Sequence, residues 1–169
     1  MSSSNAAIQS TELHTVKKCI TVAAPPRIAF EVFTTRMSSW WPIDTHHIGK
    51  IAAREAVLEP RVGGRWFERG VDGSECGWGH VLAWDPPNRL VLSWEISFRW
   101  EADPSMQTEV EVRFVADGPK QTRVELEHRY LDRFGEHRDE MRAMFESSGG
   151  WLGLLELFAK DVERAGGGA

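Results

Sequence analysis

The clearest signal in the chain is an alternation of period two. Leu90, Leu92, Trp94, Ile96, Phe98 and Trp100 interleave with Val91, Ser93, Glu95, Ser97 and Arg99, which predicts a strand over 90–100 with one apolar face. Two further strands follow. Val110, Val112 and Phe114 alternate with Glu109, Glu111 and Arg113; beyond Asp117-Gly118, Val124, Leu126, His128 and Tyr130 alternate with Arg123, Glu125, Glu127 and Arg129. Short successive connections favour an antiparallel meander. Upstream, Val62-Gly63-Gly64, Gly70–Gly73 and Asp85-Pro86-Pro87-Asn88 are turn signals that bound strands at 53–59, 65–69 and 75–84. Gly77 and Gly79 leave the register of the last strand open.

The ends of the chain read differently. Residues 13–22 form a strand whose apolar positions are Val16, Ile20 and Val22, blurred by Lys17-Lys18 and Cys19. Pro25-Pro26 stops it and starts a short helix over 28–35 with Ala29, Val32 and Phe33 on one side. A second short turn over 37–41 ends at Pro42. Residues 136–145 are a charged helical segment, and Gly149-Gly150 separates it from a longer helix that begins at Trp151, with Leu152, Leu155, Phe158, Ala159 and Val162 on its stripe. The order is strand, two short helices, about six strands, long helix. The order predicts an α+β domain in which an antiparallel sheet, curved if it is to enclose the helix, covers its apolar face with the C-terminal helix. One domain over 12–165 is expected, with flexible tails at 1–11 and 166–169.

Composition narrows the function classes. The net charge of −5 gives no basic footprint for nucleic acid. No apolar stretch is long enough to span a membrane, and residues 1–11 lack the order of a secretory leader, so a cytoplasmic protein is expected. Cys19 and Cys76 have no zinc-knuckle spacing, and Cys19 is expected to be a packed thiol. Eight Trp and eight Phe against one Tyr point to an aromatic core or to a ring-lined cavity.

Several segments together resemble a known family. They are Trp40-Trp41-Pro42, the run Glu59 to Phe67, Gly79-His80-Val81, the run Trp84 to Trp94, Thr108-Glu109-Val110, Thr122 to His128 and Gly149-Gly150-Trp151. In this order and spacing, over about 13–163, the chain is similar to the AHSA1-like relatives of the activator of Hsp90 ATPase, a branch of the START-like (Bet v 1-like, SRPBCC) superfamily. The resemblance implies a helix-grip fold with an internal cavity. It also implies a small apolar or aromatic ligand, and not ATP hydrolysis, because no phosphate-binding loop is present.

The candidate ligand-binding residues are Trp41, Trp66, Trp78, Trp94, Trp100, His128, Tyr130 and Trp151. Parity places Trp66, Trp94, Trp100, His128 and Tyr130 toward the helix, and Trp40, Trp41 and Trp151 near a cavity mouth. His46-His47 lies in a loop; a metal there would need a third ligand from elsewhere, and no metal or cofactor is expected. His128 on an apolar face is either a satisfied core histidine or a group that moves a proton near neutral pH. Three functions follow. The first is a binding module for a small apolar or aromatic molecule. The second is a cyclase- or hydrolase-type enzyme using His128 or His80, with Glu68 or Glu75. The third is a protein-interaction domain, for which the outward sets at 109–113 and 123–129 read as ordinary solvated surface. Homodimerisation through a sheet edge or the terminal helix is left open.

Overall fold

In a computed structural model of the chain, which describes residues 14–167, the alternating segments pair into one seven-stranded sheet. The strands are β1 (Val16–Val22), β2 (Ala53–Leu58), β3 (Arg65–Gly70), β4 (Glu75–Asp85), β5 (Arg89–Trp94), β6 (Thr108–Ala116) and β7 (Thr122–Arg129). Their spatial order is β1-β7-β6-β5-β4-β3-β2, antiparallel at each pairing. Strands β2 to β7 are therefore the expected meander, and β1 closes the far edge against β7. Helix α1 (Pro26–Phe33) and a 3-10 turn (Met37–Ser39) separate β1 from β2. A 3-10 segment (Leu131–His137), α2 (Arg138–Glu146) and α3 (Trp151–Gly167) follow β7. The tail expected at 1–11 lies outside the described residues, as do residues 168–169 of the tail expected at 166–169, whereas 166 and 167 continue helix α3.

Local chemistry explains the helix boundaries. Pro25 is extended and Pro26 occupies the first helical turn of α1, where its missing N–H costs nothing. At the other end Thr34 Oγ1 donates back to the Phe30 carbonyl at 2.7 Å. Helix α3 buries Trp151, Leu154, Leu155, Phe158 and Val162, a stripe at i, i+3, i+4, i+7 and i+11. Leu152, expected on that stripe, is exposed and Leu154 takes its place. Phe158 sits edge-on to Phe33 of α1, with ring centroids 5.2 Å apart. The sheet, α1 and α3 thus share one core, in the helix-grip arrangement that the sequence predicts.

The strand predicted over 90–100 is shorter. Strand β5 ends at Trp94, and the chain loops back so that Ser97 N–H donates to the Glu101 carbonyl and Asp103 N–H to the Glu95 carbonyl. Trp100 reverses the direction at φ 59, a left-handed conformation that costs a bulky residue about 1–3 kcal/mol. The alternation persists past the ladder because Ile96, Phe98 and Trp100 still have apolar neighbours. Phe98 stacks on His137 with centroids 3.5 Å apart, and the other two line a cavity.

Two surface expectations change. Cys19 is exposed on edge strand β1, because its parity faces away from the core; both cysteines are free. Lys18, on the inner parity, reaches Glu146 at the end of α2 at 2.7 Å. The outward set on β6 is not simply solvated. Glu111 is buried among Arg89, Arg113 and Arg129. Burial acts to raise its carboxyl, but the three guanidinium groups outweigh that and hold it below the ordinary carboxylate value.

Candidate functional site

A cavity of about 390 Å³ opens where the loop after Trp41, the β4–β5 end of the sheet, and the junction of α2 with α3 meet. That volume falls in the range of small-molecule sites. Its walls carry Trp41, Trp78, Trp94 and Trp151, with Trp100 at its exposed side and Phe145 and Ile96 between them.

A β-bulge places Trp78. Trp66 pairs with Gly79 and Phe67 with Gly77, so Trp78 is the extra residue and turns inward. Gly79 is required there: a Cβ would stand 1.8 Å from the Ser93 carbonyl oxygen. The rings then brace one another. Trp41 lies 5.1 Å from Trp78, Trp94 lies 5.8 Å from Trp151, and Trp41 lies 6.4 Å from Trp151. Behind the wall, Trp66 packs edge-on against Trp41, Trp78 and Trp94 at 6.1, 5.4 and 5.8 Å.

A buried indole needs a partner for its N–H. Trp40 donates to the Val32 carbonyl, Trp41 to the His46 carbonyl, Trp66 to Met37 Sδ, Trp78 to Glu68 Oε1 and Trp151 to His128 Nδ1. Trp94 is the exception: its Nε1 is buried and has no hydrogen-bond partner. Leaving such a donor unpaired costs about 1–3 kcal/mol.

The histidines separate into distinct roles. His128 is fully buried. It accepts from Trp151 at 3.0 Å and pairs through Nε2 with Thr108 Oγ1 at 2.7 Å. Burial pushes its pKa down to about 3, so it is a neutral core histidine and not a group titrating near pH 7. His80 lies on the opposite face of the sheet, half-exposed, with Nδ1 2.8 Å from the buried carboxylate of Glu95. Neither of these two lines the cavity; His46 and His47 do. His46 is committed at both ring nitrogens, to Thr45 Oγ1 at 2.8 Å and the Gly149 carbonyl at 2.9 Å. It thereby clips the loop to the start of α3.

Glu68 is buried directly behind His47. Its carboxylate accepts from the backbone N–H groups of Ile48 and Gly49 at 2.6 and 3.1 Å and from Trp78 Nε1 at 2.8 Å. Its Oε2 is 3.7 Å from His47 Nδ1. Gly49 permits this approach, since a Cβ would stand 2.9 Å from Glu68 Oε2. Glu75, the other carboxylate singled out from the sequence, is instead exposed between Arg65 and Arg69.

Of the residues proposed from sequence, Trp41, Trp78, Trp94, Trp100 and Trp151 line the cavity. Trp66 and His128 stand one layer behind it. Tyr130 is outside: it adopts φ 64, which ends β7, and its ring lies under Arg133 on the exposed side. The alternation that put Tyr130 inside stops one residue earlier. The sequence reading did not place Thr45, Ile48, Met144, Phe145 or Leu154 at the site, because they belong to loops and helix ends whose approach no periodicity reports. Among the described residues no group of three or more His, Cys, Asp or Glu is arranged to hold a metal ion, and no helix is long and apolar enough to cross a membrane.

Comparison with known proteins adds to this geometry. A solved structure of an anthrahydroquino-γ-pyrone synthase, Txn09, is 40% identical with a TM-score of 0.62, covering 87% of this chain and 96% of that one. The self-sacrificing resistance protein CalC from Micromonospora echinospora is 32% identical with a TM-score of 0.67, covering 90% and 96%. An Hsp90 activator from Plasmodium falciparum, at 18% identity, a TM-score of 0.55 and coverage of 85% and 94%, shares the fold. No curated protein matches. The family model for Activator of Hsp90 ATPase homolog 1-like proteins matches residues 23–163, and the chain belongs to that family.

Proposed function

We propose that the cavity binds a planar, oxygen-bearing polycyclic aromatic molecule of the anthraquinone type. The observation that carries this reading is the convergence of Trp41, Trp78, Trp94, Trp100 and Trp151 on one cavity, with the N–H of Trp94 buried and unpaired. Aromatic walls favour a flat apolar body, which they can meet by stacking or edge contacts. The orphan donor asks for a carbonyl or phenolic oxygen on that body. A fatty acyl chain would satisfy the first requirement poorly, having no flat face to set against the rings. The likeness at 40% identity to a synthase named for an anthrahydroquino-γ-pyrone supports the same chemical class.

Tryptophan fluorescence quenching and native mass spectrometry test the reading with three probes. They are 1,8-dihydroxyanthraquinone, anthracene as its oxygen-free analogue, and palmitate. The quinone is expected to bind one to one and about tenfold more tightly than anthracene, the worth of one hydrogen bond of about 1.4 kcal/mol. Equal affinity for anthracene removes the role of Trp94, and preferential binding of palmitate overturns the ligand class.

The cyclase- or hydrolase-type alternative loses its first candidates, since His128 is locked in the core and His80 faces away from the cavity. A specific arrangement nonetheless favours proton transfer at this site, through a different histidine.

A further inference from the structure

We propose that His47 is a general base in the cavity, oriented by Glu68, and that it removes the proton from a phenolic or enolic O–H of the bound aromatic molecule. This rests on the ligand class proposed above. The geometry comes from three observations. His47 lines the cavity. Its Nδ1 lies 3.2 Å from the Gly49 carbonyl, which can only accept, so in the neutral ring Nδ1 carries the proton and Nε2 the lone pair. Among the described residues Nε2 has no protein partner, whereas His46 and His128 are each engaged at both nitrogens.

Glu68 supplies the rest. It is the buried carboxylate beside Nδ1, at 3.7 Å, and three N–H donors from loop and strand fix its position. When Nε2 takes a proton, the positive charge forms next to this carboxylate and is stabilised there. The other titratable neighbours are few: His46 along the loop, and the Cys76 thiol from β4, pushed up by burial and by the Glu68 charge and therefore protonated at neutral pH. The step balances without a further reactant. The substrate O–H bond breaks, its proton passes to Nε2, and its electron pair stays on oxygen as a phenolate or enolate nucleophile. Return of the proton to the product restores the neutral imidazole. Glu68 touches no substrate and is a positioning residue.

The probe is 1,2-dihydroxyanthraquinone, whose visible absorption changes when a hydroxyl ionises. Its titration is followed at saturating protein, so that affinity changes do not enter. In the wild type the bound dye is expected to ionise at a pH lower by about one unit or more than the free dye, about tenfold in the ionisation constant. His47→Asn, which keeps an N–H toward Gly49, is expected to abolish that shift, and Glu68→Gln to reduce it, with Glu68→Asp recovering part. A bound dye that titrates identically in wild type and His47→Asn overturns the proposal. Failure of the dye to bind overturns the ligand class instead, and the base is then decided by 15N NMR of the histidine rings. A His47 ring protonated at Nδ1 and bare at Nε2 supports it, and the reverse tautomer overturns it.

Discussion

Trp151 donates its indole N–H to Nδ1 of His128 at 3.0 Å, and this bond fixes the His128 proton on Nε2, toward Thr108. A cavity-wall ring is thereby tied to the strand behind it through an imidazole that stays neutral. The tie has a thermodynamic consequence. The folded-state pKa of about 3 lies below the unfolded value near 6.5, so the unfolded chain binds the extra proton as pH falls.

The stability held by neutral His128 is therefore fully present above about pH 6.5 and is lost progressively as pH falls toward 3, at up to about 1.4 kcal/mol per unit. Urea unfolding at pH 7 and pH 5.5, above the carboxylate range, is expected to show a loss on the order of 1 kcal/mol in the wild type. In His128→Gln that pH-dependent loss should disappear, although the variant is less stable at pH 7. An unchanged pH dependence would mean that His128 charges in the folded state.

Trp78 and Trp94 offer a matched comparison. Phe at either position removes a similar amount of ring, but Trp78→Phe also takes a donor from the buried Glu68 carboxylate, whereas Trp94→Phe removes a donor with no partner. Trp78→Phe should be the more destabilising by about 1–3 kcal/mol in chemical denaturation. Trp94→Phe should instead lose the preference for the quinone over anthracene. The opposite ranking in stability would show that the Trp94 N–H is paired in solution.

Gly49→Ala places a methyl group 2.9 Å from Glu68 Oε2. The carboxylate is held by three donors and cannot withdraw freely, so the loop must shift. A loss of about 1–3 kcal/mol is expected, together with movement of the His47 ring resonances in the NMR spectrum. Stability and spectra matching the wild type would show that Glu68 is not pinned.

On the outer face, Glu111 loses stability in the same direction of pH as His128 but in a more acid window. Its folded pKa is depressed by Arg89, Arg113 and Arg129, so its contribution is present above the unfolded value near 4.3 and is lost as pH falls through the lower folded value. Glu111→Gln should cost about 1 kcal/mol at pH 7, because the guanidinium groups it leaves short of a partner are partly open to water. It should also flatten the acid limb of the stability curve below pH 4.5, and an acid limb as steep as in the wild type would count against the assignment.

Periodicity made the scaffold legible. The two strands after Asp103, the helix after Gly149-Gly150 and the order of elements follow from alternation, turn residues and a helical stripe, because these encode a backbone that repeats. The ring wall was partly legible for the same reason: Trp94 sits on a clean alternation. Trp78 was not, since its direction depends on a bulge that only pairing with β3 reveals. Parity failed at Tyr130, where positive φ ends the repeat without altering the pattern of residue types; at Trp100 positive φ ends the extended run but leaves the ring at the cavity. Glu68 and His47 were both visible as chemistry-bearing residues, but Glu68 was matched with His80 or His128. Its true neighbour comes from a loop twenty-one positions earlier in the chain, and a loop has no period to read.

Trp66 braces three rings of the cavity wall while remaining outside the cavity. Diversity in ligand choice must therefore come from somewhere other than the wall, because altering one wall ring disturbs the others through their common support. The rim is freer: Thr45, Met144 and Trp100 can change size without unseating a buried neighbour of Trp66. A lineage that retuned such a protein for a new molecule would be expected to write its changes there, on the threshold of the cavity, and to leave the ring lattice behind it intact.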